Sequence, residues 1–380
     1  MAMIMTASVR PSEIPFRTNY LDAVSRLVRY DLSRWMRAPH KKPLLRQMRE
    51  LADLWRRYRF APYQYIKNEL YRSEIGDDYA GYIPTVVAER YVYEVNNAEA
   101  IDCLEDKLQY EARMEACGLS HMRRLATLRR GDDGVTIEAR DGRRLSFDEF
   151  FALAKGEGQH GLFVKPRLGL AGIGAFRLQV GADRFERHGK AFSEADLLEQ
   201  LRTSEYTEYL VQPYFRQHEE LARVNPLSVN TLRAYTLRTG DKAEMIGAIL
   251  RVGSGVTETD NWRFGGYVLS VDLHTGAVGN CAFVHDDFIK GRDPARHAVT
   301  GVEFATVKLP YMPAVVDLVT KGALALAPAR LIGWDVAFGP EAPCAIEANA
   351  IPGFRALQHV SGGLRETCYG KEMAIRYGWT

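Results

Sequence analysis

Two carboxylates and an amide near the C-terminus are spaced to share one ion. The chain reads Gly333-Trp334-Asp335-Val336-Ala337-Phe338, turns through 339–343, and returns as Cys344-Ala345-Ile346-Glu347-Ala348-Asn349. A hairpin centred on Glu341 sets Asp335 opposite Glu347 with Cβ atoms ~5 Å apart. Asn349, two residues on, shares that face. Like charges placed opposite cost stability unless a cation joins them. Such an oxygen set suits Mg²⁺, which takes one or two carboxylates and completes its shell with water and phosphate. A register slip would separate the three and leave ordinary carboxylates on a solvated hairpin.

The second constellation is Phe163-Val164-Lys165-Pro166-Arg167-Leu168-Gly169-Leu170-Ala171-Gly172-Ile173-Gly174. A strand ends in Lys165, and Gly169, Gly172 and Gly174 then free the backbone. Main-chain N–H groups of such a loop can converge on phosphate oxygens while the lysine adds a point charge. No Gly-Lys-Ser/Thr opens a helix, so this is not a Walker A loop. The alternation from Ala175 to Val180 continues as a strand. Strand–loop–strand describes a flap over a nucleotide; a flexible glycine hairpin is the plainer alternative.

The middle of the chain offers further candidates. The apolar strand Tyr209–Tyr214 could present main-chain groups near Gln212 to an adenine edge, and Glu219 could accept from ribose hydroxyls; an ordinary core strand has the same pattern. Asn230-Thr231-Leu232-Arg233 opens a strand on which Asn230 and Leu232 point one way and Thr231 and Arg233 the other. Arg233 could cap a polyphosphate or pair with a carboxylate. Arg251, Gly253, Gly255, Asp260, Asn261, Gly265 and Gly266 form a polar, glycine-rich stretch, either a loop that closes on ligand or a solvent loop.

Positioning these residues requires a mixed fold. Helical stripes run through Leu21, Val24, Val28, Leu32 and Trp35, and again through Leu44, Met48, Leu51, Trp55 and Tyr58, with Pro39 and Pro43 between them. A third helix is expected over 98–117, ended by Gly118. A β-rich region starts near Gly161. Strands are expected at 163–165, 175–180, 209–214, 231–238, 245–252, 267–272, 330–338 and 344–348, and helices at 193–202 (Ser193 as N-cap) and 313–327. Strands and helices do not alternate strictly, so the class is α+β. Three regions are expected: a helical basic region over 1–100, a first subdomain over 101–222 and a second over 223–380.

Composition narrows the function. The 380 residues are 46% hydrophobic and 26% charged, with 50 basic and 48 acidic side chains. That balance argues against wholesale nucleic-acid binding. Five widely spaced cysteines and nine histidines give neither a disulfide framework nor a zinc pattern. No apolar run approaches the ~18 residues of a membrane span. The opening residues lack a signal-peptide pattern, so a cytoplasmic location is expected. The first sixty residues are different. Between Arg26 and Arg59, eleven Lys/Arg face only Asp31, Glu50 and Asp53, with Trp35, Trp55 and Tyr58 interleaved. Such a region could dock on anionic lipid, a polyanionic glycan or RNA. The core-like spacing of its aromatics predicts instead a packed helical domain with an arginine-rich solvated face.

Taken in order, Glu105-Asp106-Lys107, Lys165 with its glycine loop, the Val211–Tyr214 strand, Arg233, and Asp335, Glu347 and Asn349 resemble the ATP-grasp superfamily. Tyr82-Ile83-Pro84, Asn230-Thr231-Leu232-Arg233, Asp260-Asn261 with Gly265-Gly266, and Ile346-Glu347-Ala348-Asn349 make the sequence most similar to the sugar-transfer-associated ATP-grasp family, over roughly residues 78–375. The resemblance implies two α+β subdomains sandwiching ATP. Lys107, Lys165 and Arg233 would bind phosphates with Gly169, Gly172 and Gly174. Val211, Gln212 and Tyr214 would form the adenine hinge, with Glu219 at the ribose and Asn230 beside the nucleotide. Asp335, Glu347 and Asn349 would hold one or two Mg²⁺. Superfamily members join a carboxylate to an amine through an acyl phosphate, which implies small-molecule carboxylate and amine, or sugar-linked, substrates. Peptide ligases place an arginine two residues before the metal-binding aspartate; here Gly333 stands there, so Arg251 or Arg355 would have to serve. A kinase on the same scaffold and a nucleotide-regulated binding module in glycan or membrane assembly are the alternative readings.

Overall fold

The computed structural model describes residues 32–132, 134–157, 161–169, 172–260, 262, 265–284 and 294–379. The expected stripe residues Leu21, Val24 and Val28, together with Arg26, Arg29, Asp31, Leu170, Ala171 and Asn261, lie outside them.

Among the described residues six helices come first: α1 (Leu32–Arg37), α2 (Leu44–Tyr58), α3 (Tyr63–Lys67), α4 (Thr85–Val95), α5 (Ala98–Glu105) and α6 (Lys107–Ala116). The single helix expected over 98–117 is two. Asp106 leaves helical geometry (φ −80°, ψ 103°), and its carboxylate caps the Leu108 N–H at 3.0 Å.

An antiparallel sheet follows, built from β1 (Ala126–Arg130), β2 (Val135–Ala139), β3 (Arg144–Leu145), β4 (Leu162–Pro166), β5 (Phe176–Val180), β6 (Phe185–Arg187), β7 (Lys190–Phe192) and β8 (Glu208–Pro213). Its order is β3-β2-β1-β8-β4-β5-β6-β7. The β region thus starts at Ala126, well before Gly161. Helices α7 (Phe147–Glu157) and α8 (Glu194–Arg202) cover one face, where Phe150 and Leu197 meet Leu128, Val164, Phe176 and Val211. Ser193 caps α8 in a capping box with Asp196. Because side chains alternate, Phe163 and Lys165 project from the opposite face of β4.

After α9 (Glu219–Val224) comes the second sheet, β9 (Thr231–Thr239), β10 (Lys242–Val252), β11 (Tyr267–Ser270), β12 (Phe283–Val284), β13 (Leu331–Phe338) and β14 (Pro343–Asn349), in the order β12-β11-β10-β9-β13-β14. Helix α10 (Met312–Ala325) packs on one face against Leu232, Ala234, Leu250 and Trp334. The contact is tight: a Cβ on Gly322 would lie 2.4 Å from the Trp334 ring. Helices α5 and α6 join this same core through Ile101, Leu104, Tyr110 and Met114.

The other face carries an apolar end and a polar end. Tyr235, Leu237, Ile249 and Leu331 meet the early helices (Leu54, Tyr58, Tyr91, Val92) and the last two, α11 (Arg355–Ser361) and α12 (Cys368–Tyr377). Gln358 clasps Ile83 of the Tyr82-Ile83-Pro84 motif, accepting its N–H at 2.7 Å and donating to its C=O at 2.9 Å. Buried Asn96 ties the chain to both edges of the β13–β14 hairpin, donating to the Leu331 and Ala350 carbonyls at 2.7 and 2.8 Å.

The hairpin solves a register problem. Its turn pairs Phe338 with Pro343, Ala337 with Cys344 and Val336 with Ala345. Continued unchanged, that register would set Ile346 against Asp335 and turn Glu347 to the core face. The ladder instead shifts by one residue at Ile346, and Asp335 faces Glu347, Trp334 faces Ala348 and Gly333 faces Asn349.

The stripe on α2 is only partly turned inward: Tyr58 is buried and Leu51 packs partly buried against the core. Gln47, Glu50, Leu54 and Tyr58 are its buried residues, while Leu44, Met48 and Trp55 face outward. Glu50 goes inward because it is fully satisfied there. Lys42 Nζ and the Tyr65 hydroxyl donate to Oε2 at 2.9 and 2.7 Å, and Arg46 Nε donates to Oε1 at 2.9 Å. All five cysteines are unpaired.

Candidate functional site

The polar end of the second sheet faces Lys165 of the first. Cross-strand pairing puts Asp335 beside both Glu347 and Arg233 on one face. Arg233 holds the Asp335 carboxylate in a fork, Nε to Oδ1 at 2.5 Å and Nη2 to Oδ2 at 3.0 Å. Arg251, one strand further, reaches the same oxygens from Nη1 at 3.1 and 3.3 Å. Its Nη2 pairs with Asp260 at 2.5 Å, and Thr231 donates to the other Asp260 oxygen. Burial acts to raise the Asp335 pKa, but the two guanidinium groups hold it below the usual carboxylate range. Asp260, with one arginine and the like charge of Asp335 nearby, is pushed up, chiefly by burial.

The break before α6 delivers Lys107. Its ammonium donates to the Gly169 carbonyl at 2.7 Å and pairs with Glu347 at 3.3 Å. Asp106, which makes the break, is gripped by Arg167, Nε to Oδ1 at 2.9 Å and Nη2 to Oδ2 at 2.6 Å, and Arg167 also donates to Glu208 at 2.8 Å. Burial would raise the Asp106 pKa; Arg167 lowers it below the ordinary value. One arginine thus locks the end of β4 to the helix start that carries Lys107. Burial pushes the Lys165 ammonium down to about 8, against the opposing pull of Glu347. Glu105 is buried, accepts the Ala350 N–H at 2.9 Å and is raised by burial, with Glu347 adding to the effect, to about 7.

The glycine loop reaches across to the second sheet's connections. Gly172 and Gly174 have φ of +72° and +77°, which L side chains rarely adopt, and a Cβ on Gly172 would lie 3.1 Å from Thr259.

Several expected residues are placed elsewhere. Buried Asn230 donates to Gln217, Leu221 and Asn225 and accepts the Gly253 N–H, so its amide is taken up in bracing the fold. The Val211 carbonyl accepts from Leu125 at 2.7 Å, the Tyr214 N–H donates to Gly161 at 2.7 Å, and Gln212 Nε2 donates to Met122 at 3.0 Å. These hinge groups serve the sheet. Just beyond them lies a pocket of about 590 Å³ lined by Arg177, Tyr214, Gln217, His218 and Glu219, with the Arg177 guanidinium 3.8 Å over the Tyr214 ring. Arg355 lies over Trp262 and Phe283, at 5.8 and 5.6 Å from their centroids, rather than at Asp335. Gly333 is closed to any side chain: a Cβ there would meet Pro352 at 2.6 Å, with Arg233 Cδ at 3.5 Å. Sequence reasoning gave no role to Arg167, Asp106 or Glu105. The available signal was an arginine two residues after Lys165 and an acidic pair just before Lys107.

Among the described residues no three His, Cys, Asp or Glu side chains form a metal cage. A cation here would rest on Asp335, Glu347, Asn349 and oxygens of a substrate. That donor chemistry fits Mg²⁺. Glu347 keeps 28% of its side chain exposed to the cleft, and Asp335 would share its oxygens with the arginine pair.

A family model described as sugar-transfer associated ATP-grasp matches residues 86–367. No curated protein matches the chain. Among solved structures it is similar to D-alanine–D-alanine ligase from Bacillus anthracis complexed with ATP, at 14% identity and TM-score 0.39, covering 74% of this chain and 69% of that one. It is also similar to N5-carboxyaminoimidazole synthase from Aspergillus clavatus with ADP and 5-aminoimidazole ribonucleotide bound, at 10% identity and TM-score 0.40, covering 79% and 59%. Biotin carboxylase from Campylobacter jejuni follows at 12% identity and TM-score 0.43, covering 75% and 48%. The chain spans less than two thirds of the latter two.

Proposed function

Because the chain belongs to the sugar-transfer associated ATP-grasp family, we propose that it binds ATP between its two sheets and joins a carboxylate to an amine or another nucleophile, releasing ADP and phosphate. The observation that carries this reading is the facing of two lysines, Lys107 and Lys165, against the Asp335–Glu347–Asn349 row across one cleft.

The roles follow from charge and reach. Lys107 and Lys165 supply the positive charge that a triphosphate needs, and the glycine loop supplies main-chain donors. Asp335, Glu347 and Asn349 would hold Mg²⁺, which neutralises phosphate charge when bound. The hinge pocket with Arg177 stacked on Tyr214 would take the base and ribose, with Glu219 near the ribose hydroxyls. A substrate carboxylate oxygen attacks the γ-phosphorus as the bond to the β-bridging oxygen breaks, giving ADP and an acyl phosphate. The nucleophile then attacks the acyl carbon, loses its proton, and phosphate leaves with the C–O bonding pair. Arg233 and Arg251 occupy the neighbourhood that Gly333 leaves without a side chain, so they are the cations available to the developing acyl oxyanion.

A hydroxylamine trap tests the chemistry. Protein, MgATP and pooled carboxylic acids are incubated with hydroxylamine, and hydroxamate and ADP are read by mass spectrometry. Hydroxamate formation lost in Lys165→Ala and Glu347→Ala supports the ligase. ADP with a phosphoester and no hydroxamate would replace it with a kinase. ATP turnover intact in both variants would overturn the site.

A further inference from the structure

Helix α2 buries Glu50 and exposes four large apolar side chains. Leu44, Leu45, Met48 and Trp55 are 63, 71, 60 and 63% exposed. At 3.6 residues per turn these four fall on one side of the helix. The helix's two acids are absent from that side. Glu50 is buried among Lys42, Arg46 and Tyr65, and Asp53 is engaged by Arg56, Arg57 and Tyr79. Arg49, Arg56 and Arg59 are exposed beside the apolar row. Upstream, Met36 at the end of α1 is 63% exposed, and α1 is tied to α2 by Trp35 Nε1 donating to Gln47 at 2.9 Å.

We propose that α2 docks flat on an anionic lipid surface, its apolar row entering the headgroup boundary and its arginines meeting the lipid phosphates. An apolar row bordered by arginines, with a tryptophan and no carboxylate, is the pattern of a helix lying in the membrane interface. Among the described residues no helix is long and apolar enough to cross a bilayer, so the contact is one of lying on the surface. Contiguous leucines and methionine offer nothing to a polar glycan, and only Trp55 could stack on a nucleic-acid base. A second copy is disfavoured on size and charge. Four side chains exposing on the order of 100 Å² each fall short of the ~800 Å² per partner of a stable complex, and a two-fold contact would bring arginine against arginine.

The test is sedimentation of the full chain with vesicles of phosphatidylcholine alone and of phosphatidylcholine mixed with phosphatidylglycerol. The expected result is pelleting with the mixed vesicles only. Arg49→Gln with Arg56→Gln should weaken that binding by roughly fivefold per cation removed. Met48→Ser with Trp55→Ser should abolish it while leaving the melting curve unchanged, since both side chains are exposed. Equal binding to both vesicle types, or binding that survives the serine pair, overturns the proposal. So does a dimer in solution that Trp55→Ser converts to monomer. If the full chain stays in the supernatant and a chain lacking residues 1–31 pellets, those residues cover the face and the proposal is likewise wrong. No readout involves ATP, so the outcome is independent of the proposed ligase chemistry.

Discussion

Asp335→Asn removes one charge from a buried cluster and keeps its shape. In the wild type both Asp335 oxygens accept from Arg233, at 2.5 and 3.0 Å, and from Arg251, at 3.1 and 3.3 Å. Arg251 keeps Asp260 in the variant, whereas Asp335 is the only carboxylate paired with Arg233 among the described residues. The asparagine also turns an NH₂ donor toward guanidinium donors. Stranding one partner of a buried pair costs ~3–5 kcal/mol. At ~2–4 °C per kcal/mol for a domain of this size, the second-sheet transition should fall by roughly 6–20 °C without nucleotide. Differential scanning calorimetry reads it. The wild-type advantage should be complete above the unfolded carboxylate value of ~3.9, because the folded value is lower, and should fade only as pH falls through that lower value. Arg233→Met combined with Asp335→Leu should recover most of the loss, since apolar replacement of a whole buried pair is often neutral. A variant melting within about 1 °C of wild type would refute the reasoning, because the cost of a stranded buried charge would then be absent and the cluster would not be buried as described.

Three other outcomes are expected. Arg167→Met should loosen Lys107 without touching it: ATP affinity should fall about tenfold or more by calorimetric titration, the scale of a lost charged bidentate contact, and acid unfolding should flatten because Asp106 no longer contributes stability that is present above ~3.9 and lost below it. Affinity for ATP should drop as pH rises through about 8, where the free Lys165 loses its proton, and Lys165→Arg should remove that dependence because arginine stays charged. Gly363→Ala should lower the urea midpoint, at a cost of ~1–3 kcal/mol or more, because its Cβ would sit 2.2 Å from the Gly81 carbonyl carbon, where only backbone movement can relieve it.

The site residues were legible where alternation alone decides a face. Asp335, Glu347 and Asn349 do share one, yet the path there differs from a symmetric hairpin: the turn is centred half a residue before Glu341 and Ile346 absorbs the difference. No glycine or proline at 346 announces that bulge. The split at Asp106 was hidden for a similar reason, since its cause is Arg167, distant in sequence. Asn230 reads as a ligand-facing polar residue because a saturated internal brace looks the same in one dimension. The α2 stripe was right at Leu51 and Tyr58 and wrong at Leu44, Met48 and Trp55. Periodicity found the helix but not which side is inside, and the inward side was settled by Glu50 finding three donors. The three strands from Ala126 to Leu145 carry polar residues among their apolar ones and so lacked the apolar runs that marked later strands.

The shared core of the early and late helices sets a timetable for synthesis. Leu54, Tyr65 and Tyr91 are buried against Phe354, Tyr369 and Met373, some three hundred residues later. At ~5–20 residues per second, a nascent chain carries those side chains for roughly 15–60 s before their partners exist. The first sheet, with its core drawn from residues 125–211, is complete long before then. The opening helices must therefore wait beside an already folded neighbour, and the interval makes them the segment most in need of a chaperone or of one another.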